Sequence, residues 1–364
     1  MTQTLVPARV SPPGRILNRE LEARGWTQKD LAEIMGRPHQ TINGIINGNK
    51  QITPETAIEL AEALGTSAEF WTNLEAKYRL HLAQKEVSGS PETREISRRS
   101  RLYSFAPVAE MIKRGWIQAA DSIDVLEQEV CRFFEIDQIG DVPNLAVNCR
   151  QSENRDPEIQ AQLAWMKRVE IVVRDQKLPT FDRAKLEAAI PEILALSSKA
   201  ENVALVPDKL LSLGIHFAVV PHLGKTYLDG AAFYIESRPV IALTLRYKRI
   251  DNFWFTLMHE LGHIFAGHKG SYLDNMDNLE VNQEETEANQ LATNWLLNSH
   301  ELSILVKTTA PYFSVEKIQK FALDQNRHPG ILVGRLQKDK EIPYKNHTKF
   351  LVPVNKLLTP WVFN

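Results

Sequence analysis

The sequence predicts a multidomain chain: an all-α N-terminal part, a helical connecting region and an α+β C-terminal part. Three observations carry this prediction. The first eighty residues alternate short apolar-periodic stretches with glycine stops. The text turns polar at Ser88-Gly89-Ser90-Pro91, as a linker does. After Gly214, three short apolar, β-branched runs feed one long apolar helix that contains His259-Glu260-Leu261-Gly262-His263. The boundaries read as 1–85, 86–195 and 196–364. At 364 residues the chain exceeds the size at which a single core stops growing, so several cores are expected.

Composition narrows the classes. Lys and Arg number 43 against 45 Asp and Glu, a formal charge of -2, so no bulk charge demands a nucleic-acid or membrane partner and any basic surface must be local. Cys131 and Cys149 form no metal-ligand pattern, and their scarcity fits a reducing compartment. The first residues lack a basic start followed by an apolar stretch, and no apolar run approaches the ~20 residues needed to span a bilayer. A cytoplasmic protein without a membrane partner is expected.

Ile16, Leu17, Leu21 and Ala23 predict a first helix closed by Gly25. A second opens at Thr27, an N-cap, and runs through Leu31, Ala32 and Ile34 to Met35 and Gly36. A third begins near Pro38 with Ile42, Ile45 and Ile46 on one face. Thr53-Pro54-Glu55 starts a fourth, with Ile58, Leu60, Ala61 and Leu64 inward and Gly65 at its end; Trp71 and Leu74 continue the pattern. The small Ala32 lets the second and third helices cross closely.

From Thr27 to Gly48, the order Thr-Gln, Leu-Ala, Gly, Ile and Asn-Gly resembles the phage-repressor type of helix-turn-helix. The extension from Ile52-Thr-Pro-Glu-Thr to Gly65-Thr-Ser-Ala-Glu-Phe-Trp is similar to the plasmid-maintenance antitoxin branch of that family. The resemblance implies a third helix that enters the major groove. His39, Gln40, Thr41 and Asn43 are then the candidates for base edges, with Gln40 foremost because an amide bonds adenine bidentately. Gln28 and Lys50 are the candidates for phosphates. The implied partner is operator DNA, and the paired half-sites such proteins read are compatible with a homodimer. Acidic and basic residues nearly cancel in this segment, and Gly44 stands where many relatives present a side chain to DNA, so a protein-binding role is the competing reading.

In the middle, Arg94, Arg98, Arg99 and Arg101 form a basic cluster that reads as a solvated helix face or an extension of a phosphate-contacting surface. Val108 to Ile117 and Val125 to Phe134 read as helices, Asp137 to Arg155 as an irregular stretch, and Ala161 to Val172 as a further helix.

Farther on, Ala188 to Leu211 is helical, and Ile215–Val220, Ala231–Ile235 and Val240–Leu243 are strands, the second introduced by the turn signal Asp229-Gly230. A strand beside a cleft can take an extended peptide by edge pairing. Phe253, Trp254, Leu257, Met258, Leu261, Ile264 and Phe265 recur at three- and four-residue steps. They predict a buried helix capped by Asp251 or Asn252 and ended by Gly267. Positions four apart share one helix face, so His259 and His263 can reach one metal ion while Glu260 lies beside it as a base. Zinc is the metal this chemistry selects, with three protein ligands and one position for water. Glu284, Glu285 and Glu287, at the start of the next helix, offer a third ligand; the apolar stripe through Leu291, Ala292, Trp295 and Leu296 leans towards Glu284, and the alternative is a solvated acidic first turn.

Phe255-Thr-Leu-Met-His-Glu-Leu-Gly-His followed by Glu287-Ala-Asn and Leu291-Ala resembles the ImmA/IrrE family of metallopeptidases, together with the Asp229-Gly-Ala, Pro239-Val-Ile and Arg249-Ile-Asp elements. The similarity covers about residues 200 to 300. It implies an α+β zincin-like metallopeptidase domain, Zn2+ held by His259, His263 and Glu287, and Glu260 as the catalytic residue. It further implies an endopeptidase acting on a protein substrate, a helix-turn-helix repressor. Asn298 departs from the proline of many relatives, at a helix end. An oxyanion partner is sought among Tyr234, Tyr247, His268 and His328. The functional expectation is a DNA-binding regulator fused to a zinc endopeptidase that cleaves a repressor-like protein or itself. The alternative is a catalytically quiet regulator or antitoxin whose peptidase-like domain senses or binds a partner.

Overall fold

Caps and glycines set the helices of the N-terminal part. The computed structural model describes residues 10–87, 90–143, 157–224, 226, 228–268 and 279–364, and the chain divides into two units, Met1–Ser97 and Arg98–Asn364. The first holds α1 (Pro13–Arg24), α2 (Gln28–Ile34), α3 (His39–Ile46), α4 (Pro54–Leu64) and α5 (Ala68–Val87). Thr27 and Asp30 form a reciprocal capping box on α2: Thr27 Oγ1 accepts from Asp30 N–H, and the Asp30 carboxylate accepts from Thr27 N–H at 2.6 Å. Gly25 and Gly65 end α1 and α4 at φ 66° and 67°, a left-handed turn that costs glycine little. Leu17, Leu21, Leu31, Ile42, Leu60 and Trp71 make the core, with Ala32 buried among them. Ile58, expected inward, is instead 57% exposed, because the inward line of α4 runs through Ala57, Leu60 and Leu64, one residue away from it.

After α6 (Pro91–Phe105), which runs across the division, the second unit adds α7 (Val108–Lys113), α8 (Ile123–Phe134), α9 (Pro157–Val173), α10 (Arg183–Leu196) and α11 (Val206–Ser212). Then come β1 (His216–Val219), β2 (Gly230–Ile235) and β3 (Arg238–Leu243), followed by α12 (Ile250–Ala266), α13 (Leu279–Leu296), α14 (Ser299–Thr309), α15 (Val315–Asp324) and α16 (Pro329–Lys338). The sheet order is β1-β3-β2, with β1 parallel and β2 antiparallel to β3. Both faces are covered, which is why the strands read as continuous apolar runs. Phe217, Val219, Ile241 and Leu243 join a core with α10–α16, and the alternate residues Ala218, Val220, Val240 and Ala242 join one with α6–α9.

The helices expected to connect the two ends therefore form a layer of the second unit. Trp165 Nε1 donates to Val220 O at 2.8 Å, and Arg114 donates to the carbonyls of Pro221 and His222, both at 2.6 Å. Three members of the basic cluster serve this layer: Arg98 pairs with Asp124 and Glu127, Arg99 reaches the Asp121 carbonyl and Arg101 that of Ile139. Of the stretch read as irregular, residues 144–156 lie outside the described residues.

The outer edge of β1 is bridged by Val362, whereas β2 pairs only with β3 among the described residues. Asp251 does not cap α12. Arg249 holds the cap position, and Asp251, in the first turn, accepts from its guanidinium at 2.6 and 3.0 Å. Gly267 ends the helix at φ 79°. Asn298 caps α14, accepting from the backbone of His300 and Glu301, the helix-end role expected of that position. No helix among the described residues is long and apolar enough to cross a membrane.

Candidate functional site

On α12, the four-residue spacing turns His259 and His263 to one side, and their Nε2 atoms stand 3.0 Å apart. The carboxylate of Glu285, from α13, closes the group at 3.3 Å from His259 Nε2 and 3.5 Å from His263 Nε2. Two imidazole lone pairs and a carboxylate converging in this way suit a cation. Tetrahedral zinc with bonds of about 2.0–2.1 Å requires ligand atoms roughly 3.3–3.4 Å apart. The observed separations fit it.

Of the three acidic candidates, Glu285 is thus the one that the structure brings to the histidines, with all ligand atoms within 4.8 Å of one another. Glu284 is half-buried outside this group, and Glu287 lies elsewhere: its Oε2 is 3.2 Å from His268 Nε2, while His268 Nδ1 is 3.1 Å from His263 Nδ1. The reason is the rotation of α13. Its buried line runs through Ala288, Ala292 and Leu296, so the residue one turn before Ala288 on that side is Glu285.

Glu260 is 6% exposed and faces the same cleft as the three ligand side chains. Burial pushes its carboxyl up to about 7, against the pull of His259 and a hydrogen bond from the Ala232 amide on β2. Burial likewise holds His263 down at about 3, helped by the neighbouring His259 charge. Burial also acts to lower His259, but the Glu285 hydrogen bond and the Glu260 charge outweigh it and leave His259 raised. Glu285 is lowered: burial acts to raise it, and His259, with the other two histidines, prevails. His259 Nδ1 is buried without a hydrogen-bond partner.

The group opens into a cleft of about 850 Å³, lined by Gly230 and Ala231 of β2, by Phe255 and Thr256 of α12 and by Arg335 and Lys338 of α16. Gly230 keeps the strand close, since a Cβ there would come within 3.0 Å of Glu260 Oε1. Among Tyr234, Tyr247, His268 and His328, only Tyr247 lines the cleft. His328 caps α16, its Nδ1 accepting from Gly330 N–H at 3.0 Å. Tyr344, Arg335 and Lys338 also line the cleft; nothing near the motif points to them, because they lie more than 70 residues beyond it, two on α16 and Tyr344 in the segment that follows. Lys338 Nζ sits 4.0 Å over the Phe255 ring, and burial lowers its pKa.

In the first unit, His39 and Gln40 stand exposed on the first turn of α3. Asn43 Nδ2 donates to Gln28 Oε1 at 3.1 Å, tying α3 to α2, and Lys50 Nζ donates to Thr41 Oγ1 at 3.3 Å. Among the described residues, His39 and Gln40 thus carry no side-chain hydrogen bond, whereas Gln28 is tied to Asn43, which Asn47 also holds, and Lys50 to Thr41.

Residues 17–71 match the helix-turn-helix family, and residues 216–319 match the IrrE N-terminal-like domain. Antitoxin HigA-1 of Vibrio cholerae is 46% identical over 63 residues, which are 17% of this chain and 59% of that protein. The chain thus spans less than two thirds of that relative. The uncharacterized HTH-type transcriptional regulator YbaQ of Escherichia coli is 34% identical over 103 residues, 28% of this chain and 83% of that protein. A solved structure of a HigA-family addiction module antidote protein from Coxiella burnetii is 35% identical, covering 23% of this chain and 94% of that one, with a TM-score of 0.23. By its N-terminal part the chain belongs to the helix-turn-helix family of HigA-type antitoxins and regulators, and it joins to that part an IrrE N-terminal-like domain.

Proposed function

We propose that this chain is a DNA-binding transcriptional regulator fused to a zinc-dependent endopeptidase that cleaves a repressor-like protein or itself. The observation that carries the enzymatic half is the convergence of His259, His263 and Glu285 at tetrahedral spacing, with Glu260 buried beside them at the foot of the cleft. His259 and His263 would hold the metal through Nε2, and Glu285 through its carboxylate. Zinc bound there supplies a Lewis acid for the peptide carbonyl and for the attacking water.

The rest falls to the chain's own groups. Glu260 takes the proton from the attacking water and delivers it to the leaving amine. A divalent charge nearby favours its ionised form, as a base requires. The Ala232 amide holds its carboxylate in place. The outer edge of β2 offers backbone partners to an extended peptide, and Tyr247 is the side chain of the cleft suited to the developing oxyanion. A peptide substrate fits both the cleft and the edge strand.

For the N-terminal unit, the reading is operator binding by α3, with Gln40 and His39 towards base edges. Relatives named as antitoxin and transcriptional regulators support it. The test of the whole is metal analysis of purified wild type and Glu260→Gln, followed by incubation with helix-turn-helix regulators encoded beside it. One zinc in both proteins and cleavage by wild type alone is the expected result. Wild type prepared without chelators and free of zinc would falsify the site; zinc in both with no cleavage of any regulator or of the chain itself would favour a quiet regulator that binds a partner.

A further inference from the structure

We propose that Glu287 and His268 are positioning residues for the metal ligand His263, forming a hydrogen-bonded chain that fixes its tautomer. The inference rests on the ligand set of the preceding section. Its geometry is a line of three groups: Glu287 Oε2 lies 3.2 Å from His268 Nε2, and His268 Nδ1 lies 3.1 Å from His263 Nδ1. His263 Nε2 faces His259 and Glu285.

With both rings neutral, the donors and acceptors of this chain fit in one way. A carboxylate accepts and does not donate, so His268 carries its proton on Nε2 and donates it to Glu287. His268 Nδ1 is then an acceptor, and the proton of the neutral His263 ring must sit on Nδ1 to donate to it. That leaves the lone pair of His263 on Nε2, the atom beside Glu285. Two neutral rings are thereby set, each in one tautomer, by a single carboxylate. At the other ligand, His259, Nδ1 is buried with no hydrogen-bond partner among the described residues.

The elements explain the arrangement. His268 follows Gly267, whose left-handed turn folds the chain back so that the His268 amide donates to His263 O at 3.0 Å. The His268 side chain is 8% exposed, wedged between α12 and α13. Glu287 comes from the same α13 turn as Glu285, two residues on and so rotated away from the metal to the outer side. One turn of helix supplies both a ligand and the support of another ligand.

The test is zinc affinity of the full chain, measured by competition with a chromophoric chelator, with visible spectra of the cobalt-substituted protein as the report on coordination. Glu287→Ala and His268→Ala are expected to retain one metal per chain at saturation, to keep the cobalt band intensity of wild type, and to bind zinc about tenfold more weakly. This is the lower end of the range for such supports, because the Glu287 side chain is 58% exposed. His268→Gln, whose amide both accepts and donates, is expected to recover most of the loss of His268→Ala. Glu285→Ala is expected to lose stoichiometric zinc. Wild-type affinity in Glu287→Ala beside a damaged Glu285→Ala overturns the positioning chain and leaves the ligand set standing. Loss of stoichiometric metal in Glu287→Gln, with a changed cobalt spectrum, makes Glu287 a ligand and overturns it too. Full zinc binding by Glu285→Ala overturns the ligand set itself. Glu287→Gln at an exposed site folds whatever becomes of the His268 variants.

Discussion

Gly262 lies against Ala288 where α12 crosses α13: a Cβ on Gly262 would stand 3.2 Å from both the Cα and the carbonyl oxygen of Ala288. The crossing therefore needs a bare backbone on α12 and a methyl on α13. It also sets the third ligand, since Glu285 is one turn from Ala288. Gly262→Ala requires α13 to give by a few tenths of an ångström, and overpacking of this kind costs about 1–3 kcal/mol, against about 1 kcal/mol gained in helix propensity. We expect a lower unfolding midpoint and weaker zinc binding together, read by thermal melts with and without added zinc. A variant that melts earlier yet binds zinc as wild type would show that the crossing does not position Glu285.

Behind the sheet, the Lys167 ammonium is fully buried and held by Glu135 at 2.8 Å and Glu170 at 3.0 Å, with Arg174 bonded to both carboxylates. The hydrogen bonds from Arg174 and Lys167 hold the Glu135 carboxyl down at about 2. A carboxyl depressed in the folded state stabilises the fold above its unfolded value, near 4.5, and that stabilisation drains away as pH falls towards 2. Glu135 is half-exposed, so solvent screens the pair, and the contribution at neutral pH is on the order of 1 kcal/mol. Urea melts of wild type and Glu135→Gln should differ by that amount at pH 7, draw together as pH falls below about 4.5 and converge only near pH 2. A gap that stays constant with pH would assign the difference to packing.

Much of this arrangement was legible in the sequence, and the miss that matters most for the site has a physical cause. Local signals were sound: Thr27 and Gly25 cap helices, Asp229-Gly230 turns into β2, and the histidine pair lies on a buried helix. The choice among Glu284, Glu285 and Glu287 was not local. Successive helix positions point about 100° apart, so it depends on how α13 is rotated against α12. The stripe through Leu291, Ala292, Trp295 and Leu296 leans towards Glu284 and the family resemblance points to Glu287, but Leu291 and Trp295 are only half-buried, and the contact line follows the small Ala288 and Ala292. Close helix crossings select small side chains, and a hydrophobicity count gives those little weight. The same limit applies to α6–α9. The unbroken apolar run Phe217-Ala218-Val219-Val220 announces a sheet buried on both faces, yet nothing in it names the helices that cover the second face.

The capping box of α2 gives a further expectation. Thr27→Ala removes the oxygen that accepts from Asp30 N–H, and loss of an N-cap costs about 1 kcal/mol. Thr27→Ser keeps the oxygen and should be neutral. Amide hydrogen exchange at Asp30 and Leu31 is the direct measurement: faster exchange in Thr27→Ala alone is expected, and equal exchange in both variants would mean that packing of Leu31 fixes this turn unaided.

On α3 the free and the tied side chains should behave differently towards DNA. Gln40 is exposed with its amide uncommitted, so Gln40→Ala is expected to weaken operator binding by about 1–3 kcal/mol and to relax preference at one base pair. Asn43 is bonded to Gln28 and to Asn47, so Gln28→Ala would remove the proposed phosphate contact and also one of the two bonds that hold Asn43. Its effect should therefore include a change of base preference that a pure phosphate contact would not produce. Lys50→Ala should lower affinity for all sequences alike and reduce the slope of log affinity against log salt by about one unit, the signature of one phosphate. Fluorescence anisotropy against the chain's own upstream DNA, at two salt concentrations and with single-base variants, separates the three. If Gln40→Ala matches wild type on every sequence while Lys50→Ala still lowers the slope, α3 lies on the backbone without reading bases, and specificity must come from DNA shape or from a partner.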